Sequence, residues 1–193
     1  MQRSEAEWKP LDPLVGPVLK TMDTTFERTK TEQVSDLFGP ATKSGKDEWL
    51  TPPEIIKALG AFNLDPCAPI KPPWATAIRH YSVLDNGLML PWEGRVWCNP
   101  PYGTETGIWL NRCAEHGNTI ALTFARTETK MFFETVWDRA DAVFFFKGRI
   151  KFYHVTGKQG DAAGAPSVLI AYGKENADSL ERAKLSGKYI RLK

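Results

Sequence analysis

Three runs leave the chain little freedom in what it can fold into: TIALTFA (119–125), DAVFFF (141–146) and SVLIAYG (167–173). A strand that is apolar on both sides of its pleat must be covered on both faces, as a central strand of a layered α/β sheet is. Helical patterns stand between and before these runs. Thr51-Pro52-Pro53-Glu54 ahead of IIKAL predicts a helix with Thr51 as its cap, Glu54 completing a capping box, Pro52 in the first helical position and Gly60 as its stop. A second helix is predicted over Thr106–His116, ended by Gly117. A third is capped by Thr127 and carries Met131, Phe132, Phe133, Val136 and Trp137 as a core stripe. Shorter strands are predicted at AFNLDP, ending at Asp65, around Arg79–Val83, and at GRVWC (94–98), which runs into NPPYG. GRIKFYH (148–154) reads as a further extended segment. This alternation predicts a layered α/β fold with a mostly parallel sheet. GRIKFYH and SVLIAYG, joined by the loop Val155–Pro166, are expected as an antiparallel hairpin at its C-terminal edge.

The 193 residues suit one domain preceded by an arm. Residues 1–46 hold seven basic and seven acidic residues with no sustained periodicity, and Pro17 cuts the short LVGPVLKTM piece, so they read as an irregular arm or linker. Residues 47–193 are the functional domain and carry the whole net charge of +2, which excludes a polybasic protein and confines any nucleic-acid surface to a local patch. Cys67, Cys98 and Cys113 form no Cys-x-x-Cys pair, and His80, His116 and His154 have no metal-ligand spacing, so neither a disulfide framework nor a metal site is expected. No apolar run approaches the ~20 residues of a membrane span, and the N-terminus lacks a signal-peptide pattern; a soluble cytoplasmic protein, monomer or dimer, is expected.

The chemistry concentrates in Asn99-Pro100-Pro101-Tyr102. Successive prolines fix φ near −65° and bias the residues before them away from helix, so the turn after the buried strand is stiff. Such a turn can aim the Asn99 side-chain carbonyl and the Pro100 backbone carbonyl at one point, with Tyr102 offering a ring beside them. Two convergent acceptors and a stacking ring suit an exocyclic amine such as adenine N6. Asp65-Pro66-Cys67-Ala68 places a carboxylate at a strand's carboxyl end, where an open α/β sheet binds its ligand and where Asn99 also falls. Asp85, in VLDNGL, is either a second polar contact or simply the Asp of an Asp-Asn-Gly turn. The helix start at Thr51 and Pro52 offers a hydroxyl and main-chain N–H donors to a carboxylate, or is a helix cap without a ligand.

TPPE, DPCA and NPPY, in that order, resemble the amino-DNA methyltransferases that use S-adenosylmethionine. The wider set of DEWLTPPEII, LDPCAP, HYSVLDNGL, PWEGRVWCNPPYG, FARTET, KGRIKF and APSVLIAYG, spanning about residues 47–173, is similar to the phage DNA N6-adenine methyltransferase (Dam-like) family. The resemblance implies a Rossmann-like class I methyltransferase sheet, shortened because Asn99 comes only 34 positions after Asp65. It implies catalytic roles for Asn99, Pro100, Pro101 and Tyr102. It also implies that Thr51, Pro52, Asp65, Pro66, Cys67 and Asp85 hold the cofactor. APIKPPW stands where the family's glycine-rich cofactor loop would follow the first strand, and no separate target-recognition domain is visible.

The implied substrate is double-stranded DNA, whose target base must be flipped out of the stack. Arg126, Lys147, Arg149 and Lys151, with His154 and Lys158, form a basic stretch with interleaved aromatics that suits phosphate contacts, and the segment from Lys147 to Lys158 holds no acid. The competing reading is a solvated sheet edge kept basic against aggregation. The tail from Lys174, with six basic and three acidic residues, is a possible addition to that surface. Two rival functions stay open at this point: methyl transfer to RNA or to a protein glutamine, and a DNA-binding relative that has lost its cofactor. Cys67 and Cys98 are not placed as nucleophiles, which argues against attack at cytosine C5.

Overall fold

The computed structural model describes residues 49–193, so the expected arm over residues 1–46 lies outside the described residues. The chain runs β1 (Trp49–Leu50), α1 (Pro53–Leu59), β2 (Leu64–Asp65), β3 (Arg79–His80), β4 (Val96–Cys98), α2 (Thr106–His116), β5 (Thr119–Phe124) and α3 (Lys130–Phe132), which continues as a π-helical turn over Phe133–Trp137. It goes on through β6 (Ala142–Phe146), β7 (Lys151–His154), β8 (Gln159–Ala162), β9 (Ser167–Tyr172), α4 (Lys174–Arg182) and β10 (Gly187–Arg191).

Among the described residues a seven-stranded sheet has the order β10-β6-β9-β5-β4-β2-β3. β3, β2, β4 and β5 pair in parallel, β9 lies antiparallel between β5 and β6, and β10 closes the far edge antiparallel to β6. Five of the seven strands therefore point one way, with β9 and β10 reversed. The three apolar runs became β5, β6 and β9, and every residue of β9 is buried. Alternate residues of each strand feed two cores. Ile55, Ile56 and Leu59 of α1, with Ala177 and Leu180 of α4, cover Trp97, Ile120, Leu122 and Leu169. Leu110 and Cys113 of α2, with Phe132 and Val136, cover Val96, Cys98, Ala121 and Val168. This three-layer packing explains why the central strands read as unbroken apolar runs. Arg95 ties the α1 side together: its guanidinium donates to the carbonyls of Leu59 (2.9 Å) and Ala61 (3.0 Å), to Asn176 Oδ1 (2.7 Å) and to Ser179 Oγ (3.0 Å).

The strand order reverses on β2: the chain leaves it for β3 on one side and returns to β4 on the other. The crevice outside the carboxyl ends of β2 and β4 is thus a topological switch point, where such sheets take their ligands.

Several expectations are corrected. GRIKFYH and SVLIAYG do not form an edge hairpin. β7 is the middle strand of a separate sheet of order β1-β7-β8, and its hairpin partner is β8, which the sequence hid in a polar QGDA stretch. β9 lies inside the main sheet because its fully apolar character needs cover on both edges and both faces. The tail from Lys174 folds as α4 and β10 after β9, and some of its charge is paired within it: Arg191 pairs with Asp178 and Glu181 (3.2 Å) while Lys174 pairs with Asp178 (2.7 Å). α1 is not capped by Thr51. Pro52 takes the cap position, Pro53 begins the helix, and no side-chain cap bond forms with Thr51 or Glu54. The third helix is capped by Thr129, whose side chain accepts from the Phe132 N–H, instead of by Thr127. Its stripe is core at Phe132 and Val136, but Phe133, one helical step round from Phe132, is 52% exposed.

Candidate active site

β4 delivers Cys98 fully buried into the NPPY turn, where Asn99 is half-buried and Pro100 buried. The Asn99 amide is held at both ends. Its Nδ2 donates to the Trp49 main-chain carbonyl on β1 (3.1 Å), and its Oδ1 accepts from the Tyr102 hydroxyl (3.2 Å). Because a carbonyl can only accept, the Trp49 contact decides which end of the amide is which and leaves Oδ1 as the acceptor facing the turn. Burial pushes the Tyr102 phenol above its ordinary value, so it stays a neutral donor. The Tyr102 ring packs on Phe124 at the end of β5 (centroids 4.3 Å) and meets Phe152 edge-on (6.4 Å), so one of its faces is taken by protein. Thr106, buried at the start of α2, donates to the Pro101 carbonyl (3.0 Å) and accepts from the Gly103 N–H (3.0 Å), pinning the turn from behind. No described donor reaches the Pro100 carbonyl.

The second loop at the switch point begins at Asp65, whose carboxylate is 4% exposed. Burial raises its pKa above the ordinary carboxylate value; the bonds from the Thr76 hydroxyl and the Cys67 N–H (3.1 Å) oppose the shift without cancelling it. Cys67 Sγ lies 3.8 Å from Cys98 Sγ, which sets the Asp65 loop directly beside the Asn99 loop. Burial also pushes both thiols well above their ordinary range, so neither is a ready thiolate nucleophile. The VLDNGL turn docks on the same loop: a Cβ on Gly87 would come within 1.9 Å of the Pro66 carbonyl oxygen, so only glycine fits. Asp85 itself is exposed and accepts from Ser82 N and Oγ, both at 2.8 Å, which is the turn-forming use of that carboxylate.

Thr51 stands two residues after the carbonyl that holds Asn99. It is 2% exposed, and its hydroxyl has no hydrogen-bond partner. Pro52 and Pro53 carry no N–H, so the start of the seven-residue α1 is poor in free donors, and the Thr51 hydroxyl is the distinctive one. A buried hydroxyl without a partner beside a switch-point crevice fits a ligand bearing acceptor atoms. Thr51, Asp65, Cys67 and Asn99 are therefore brought together, while Asp85 approaches only through its turn.

Residues 40–186 match the model of a family described as DNA N-6-adenine-methyltransferase (Dam). The chain belongs to the DNA N-6-adenine-methyltransferase (Dam) family. Neither a curated protein nor a solved structure matches it.

In this Dam-family chain two of the basic candidates lie at carboxyl ends of the main sheet and two at the start of the small one. Arg126 follows β5 and Lys147 follows β6, both at carboxyl ends that point the same way as β4, and both are exposed. Arg149 and Lys151 lead into β7 and are also exposed. β7 is a middle strand, so the explanation of its charge as protection of a bare sheet edge does not apply. Among the described residues no group of three His, Cys, Asp or Glu side chains could hold a metal ion, and no helix is long and apolar enough to cross a membrane.

Residues to which the sequence assigned no role complete the site: Trp49 through its carbonyl, Thr76 bonded to Asp65, Thr106 behind the NPPY turn, and Phe124 and Phe152 around Tyr102. Thr106 had a usable signal, a hydroxyl at the foot of a helix a few residues after a proline turn. Trp49, Phe124 and Phe152 stand in the runs DEWLTPPEII, FARTET and KGRIKF, but nothing local to those runs says what they touch.

Proposed function

We propose that the chain transfers a methyl group from S-adenosylmethionine to the N6 amine of adenine in DNA, after the base has been flipped out of the duplex. The observation that carries this reading is the Asn99 amide, oriented by the Trp49 carbonyl so that its oxygen faces the Tyr102 hydroxyl next to the unengaged Pro100 carbonyl. An entering amine exchanges one donor for another at Oδ1 and adds a bond at Pro100, so little is lost on binding. Accepting both N–H groups would fix the amine and raise the electron density of its nitrogen; as the N–CH3 bond forms, the donor's S–CH3 bond would break with its sulfur leaving as a neutral thioether, and one amine proton would pass to water. Tyr102 and Phe124 wall the base, which costs a few kcal/mol to extract from its stack. Thr51, with its unpartnered hydroxyl, and the Asp65–Cys67 loop would hold the cofactor, which supplies an activated methyl when bound. Arg126, Lys147, Arg149 and Lys151 would meet phosphates along the rim.

The test is incubation of the chain with methyl-labelled S-adenosylmethionine and duplex DNA, RNA or protein extract in parallel. Label is expected in DNA as N6-methyladenine. Asn99→Ala is expected to lower the rate by at least about 100-fold while calorimetric cofactor affinity stays near that of the wild type. Label confined to RNA or to protein glutamine, or full activity in the Asn99 variant, would overturn the reading.

A further inference from the structure

Trp49 does more than lend its carbonyl to Asn99. Its indole is 42% exposed at the start of β1, where it pairs in register with His154 of β7. Paired residues share a sheet face, and Phe152, two residues before His154, lies on that face as well and meets the Tyr102 ring. The indole stands edge-on to His154 (6.3 Å, 80°) and reaches as far as β8, where a Cβ on Gly160 would come within 2.6 Å of its Cζ3 atom. A glycine thus makes room to seat a large ring that the fold still leaves half in solvent. Lys147, Arg149, Lys151 and Lys158 are exposed and no carboxylate stands between them in the chain, while Asp161 of β8 is an exposed carboxylate of the same small sheet. A mounted, half-exposed indole on a sheet that carries more exposed cations than carboxylates, next to the group that receives the amine, is complementary to a polyanion that carries flat rings.

We propose that Trp49 is a nucleobase-stacking residue on the rim of the Asn99 site, an inference that rests on the reading of DNA as the substrate. The small β1-β7-β8 sheet then acts as a nucleic-acid platform beside the Asn99 site. Its cations hold the backbone, and Trp49 stacks on a base beside the one that enters the crevice.

The experiment compares wild type, Trp49→Ala, Trp49→Leu and Trp49→Phe on random-sequence duplex DNA. It follows kcat, KM for DNA, cofactor affinity by calorimetry and thermal melting. Trp49→Ala and Trp49→Leu are expected to raise KM for DNA roughly tenfold or more, with cofactor affinity unchanged; Trp49→Phe, which keeps a π face, is expected to recover most of the loss. If Trp49→Ala fails to fold, the leucine and phenylalanine variants decide the matter, since both fill the site and only one can stack. Wild-type KM in Trp49→Leu would overturn the proposal, as would a loss confined to kcat or to cofactor affinity. A wild-type chain that labels no DNA at all refutes the parent reading and this one with it, whereas a normal Trp49→Leu alongside an active wild type refutes only the role of Trp49.

Discussion

The Asp65 loop and the Asn99 loop leave neighbouring parallel strands and touch through Cys67 and Cys98, yet they are held in opposite ways. Asp65 is satisfied from nearby sequence, by Cys67 two residues on and Thr76 eleven residues on, and its loop is braced by the turn at Gly87. Asn99 is satisfied across the molecule, by a carbonyl fifty residues earlier in the chain, while its turn leans on Thr106, Phe124 and Phe152. A loop closed on itself can be built before the rest of the fold is in place. A loop held by β1, α2, β5 and β7 is correctly shaped only when all of them are docked. The difference teaches that the geometry of Asn99 is conditional on a complete structure and that of Asp65 is not; under the proposed function, the substrate side is the conditional one.

The comparison is broken most forcefully at Gly87. Gly87→Ala puts a methyl group 1.9 Å from the Pro66 oxygen, a main-chain atom that cannot swing away. The loop itself must move, and a loss of about 3 kcal/mol of stability is expected from overpacking of this severity. Calorimetry should show weakened cofactor binding in whatever remains folded. If the variant melts and binds cofactor like the wild type, the Asp65 loop is not braced by this turn. A smaller effect is expected on the other loop from Thr106→Val, which keeps the shape but leaves the Pro101 carbonyl and the Gly103 N–H without their partner. The expected cost is about 1–2 kcal/mol, together with a fall in kcat at unchanged cofactor affinity. Thr106→Ser, which keeps the hydroxyl, should restore both; failure of serine to do so would show that the Thr106 methyl, not its hydroxyl, shapes the turn.

The same division decides how much of the molecule was legible in the sequence. Features set by neighbours in the chain were readable: the buried strands at 119–124 and 142–146, helix α2 from Thr106 to His116, the strand ending at Asp65, and the placement of Asp65 and Asn99 at one crevice. Features set by distant partners were not. The polar QGDA strand pairs with β7 through its backbone, so its side chains gave no period to find. Trp49 acts on Asn99 through a carbonyl, which every residue has, so no residue type could announce it. Thr51 looked like a helix cap because the capping box is a local pattern. Two consecutive prolines shifted the helix start by a residue and left that hydroxyl buried and free, which suits a ligand better than the cap would have.

The mildest way to sharpen the comparison is to remove only the charge from the self-contained loop. In Asp65→Asn the amide oxygen can still accept from the Cys67 N–H, and its NH2 can donate to the Thr76 hydroxyl, so the local bonds survive with one of them reversed. What changes is the titration. Burial holds the Asp65 pKa above its ordinary value of 3.8, with Thr76, Cys67 and His80 opposing that shift. The folded chain therefore binds more protons than the unfolded chain between 3.8 and the raised native value. Stability contributed by this group accordingly falls as pH rises through that interval and stays reduced above it. Melting curves taken from acid to neutral pH should show this decline in the wild type and a flatter course in Asp65→Asn, the difference between the two growing with pH until the native carboxyl has ionised. A variant that instead loses stability progressively as pH rises toward neutrality, relative to the wild type, would mean that the ionised carboxylate is what the loop is built around. In that case the bonds from Thr76 and Cys67 outweigh the cost of burial, and Asp65 would stabilise its loop by its charge as well as by its shape.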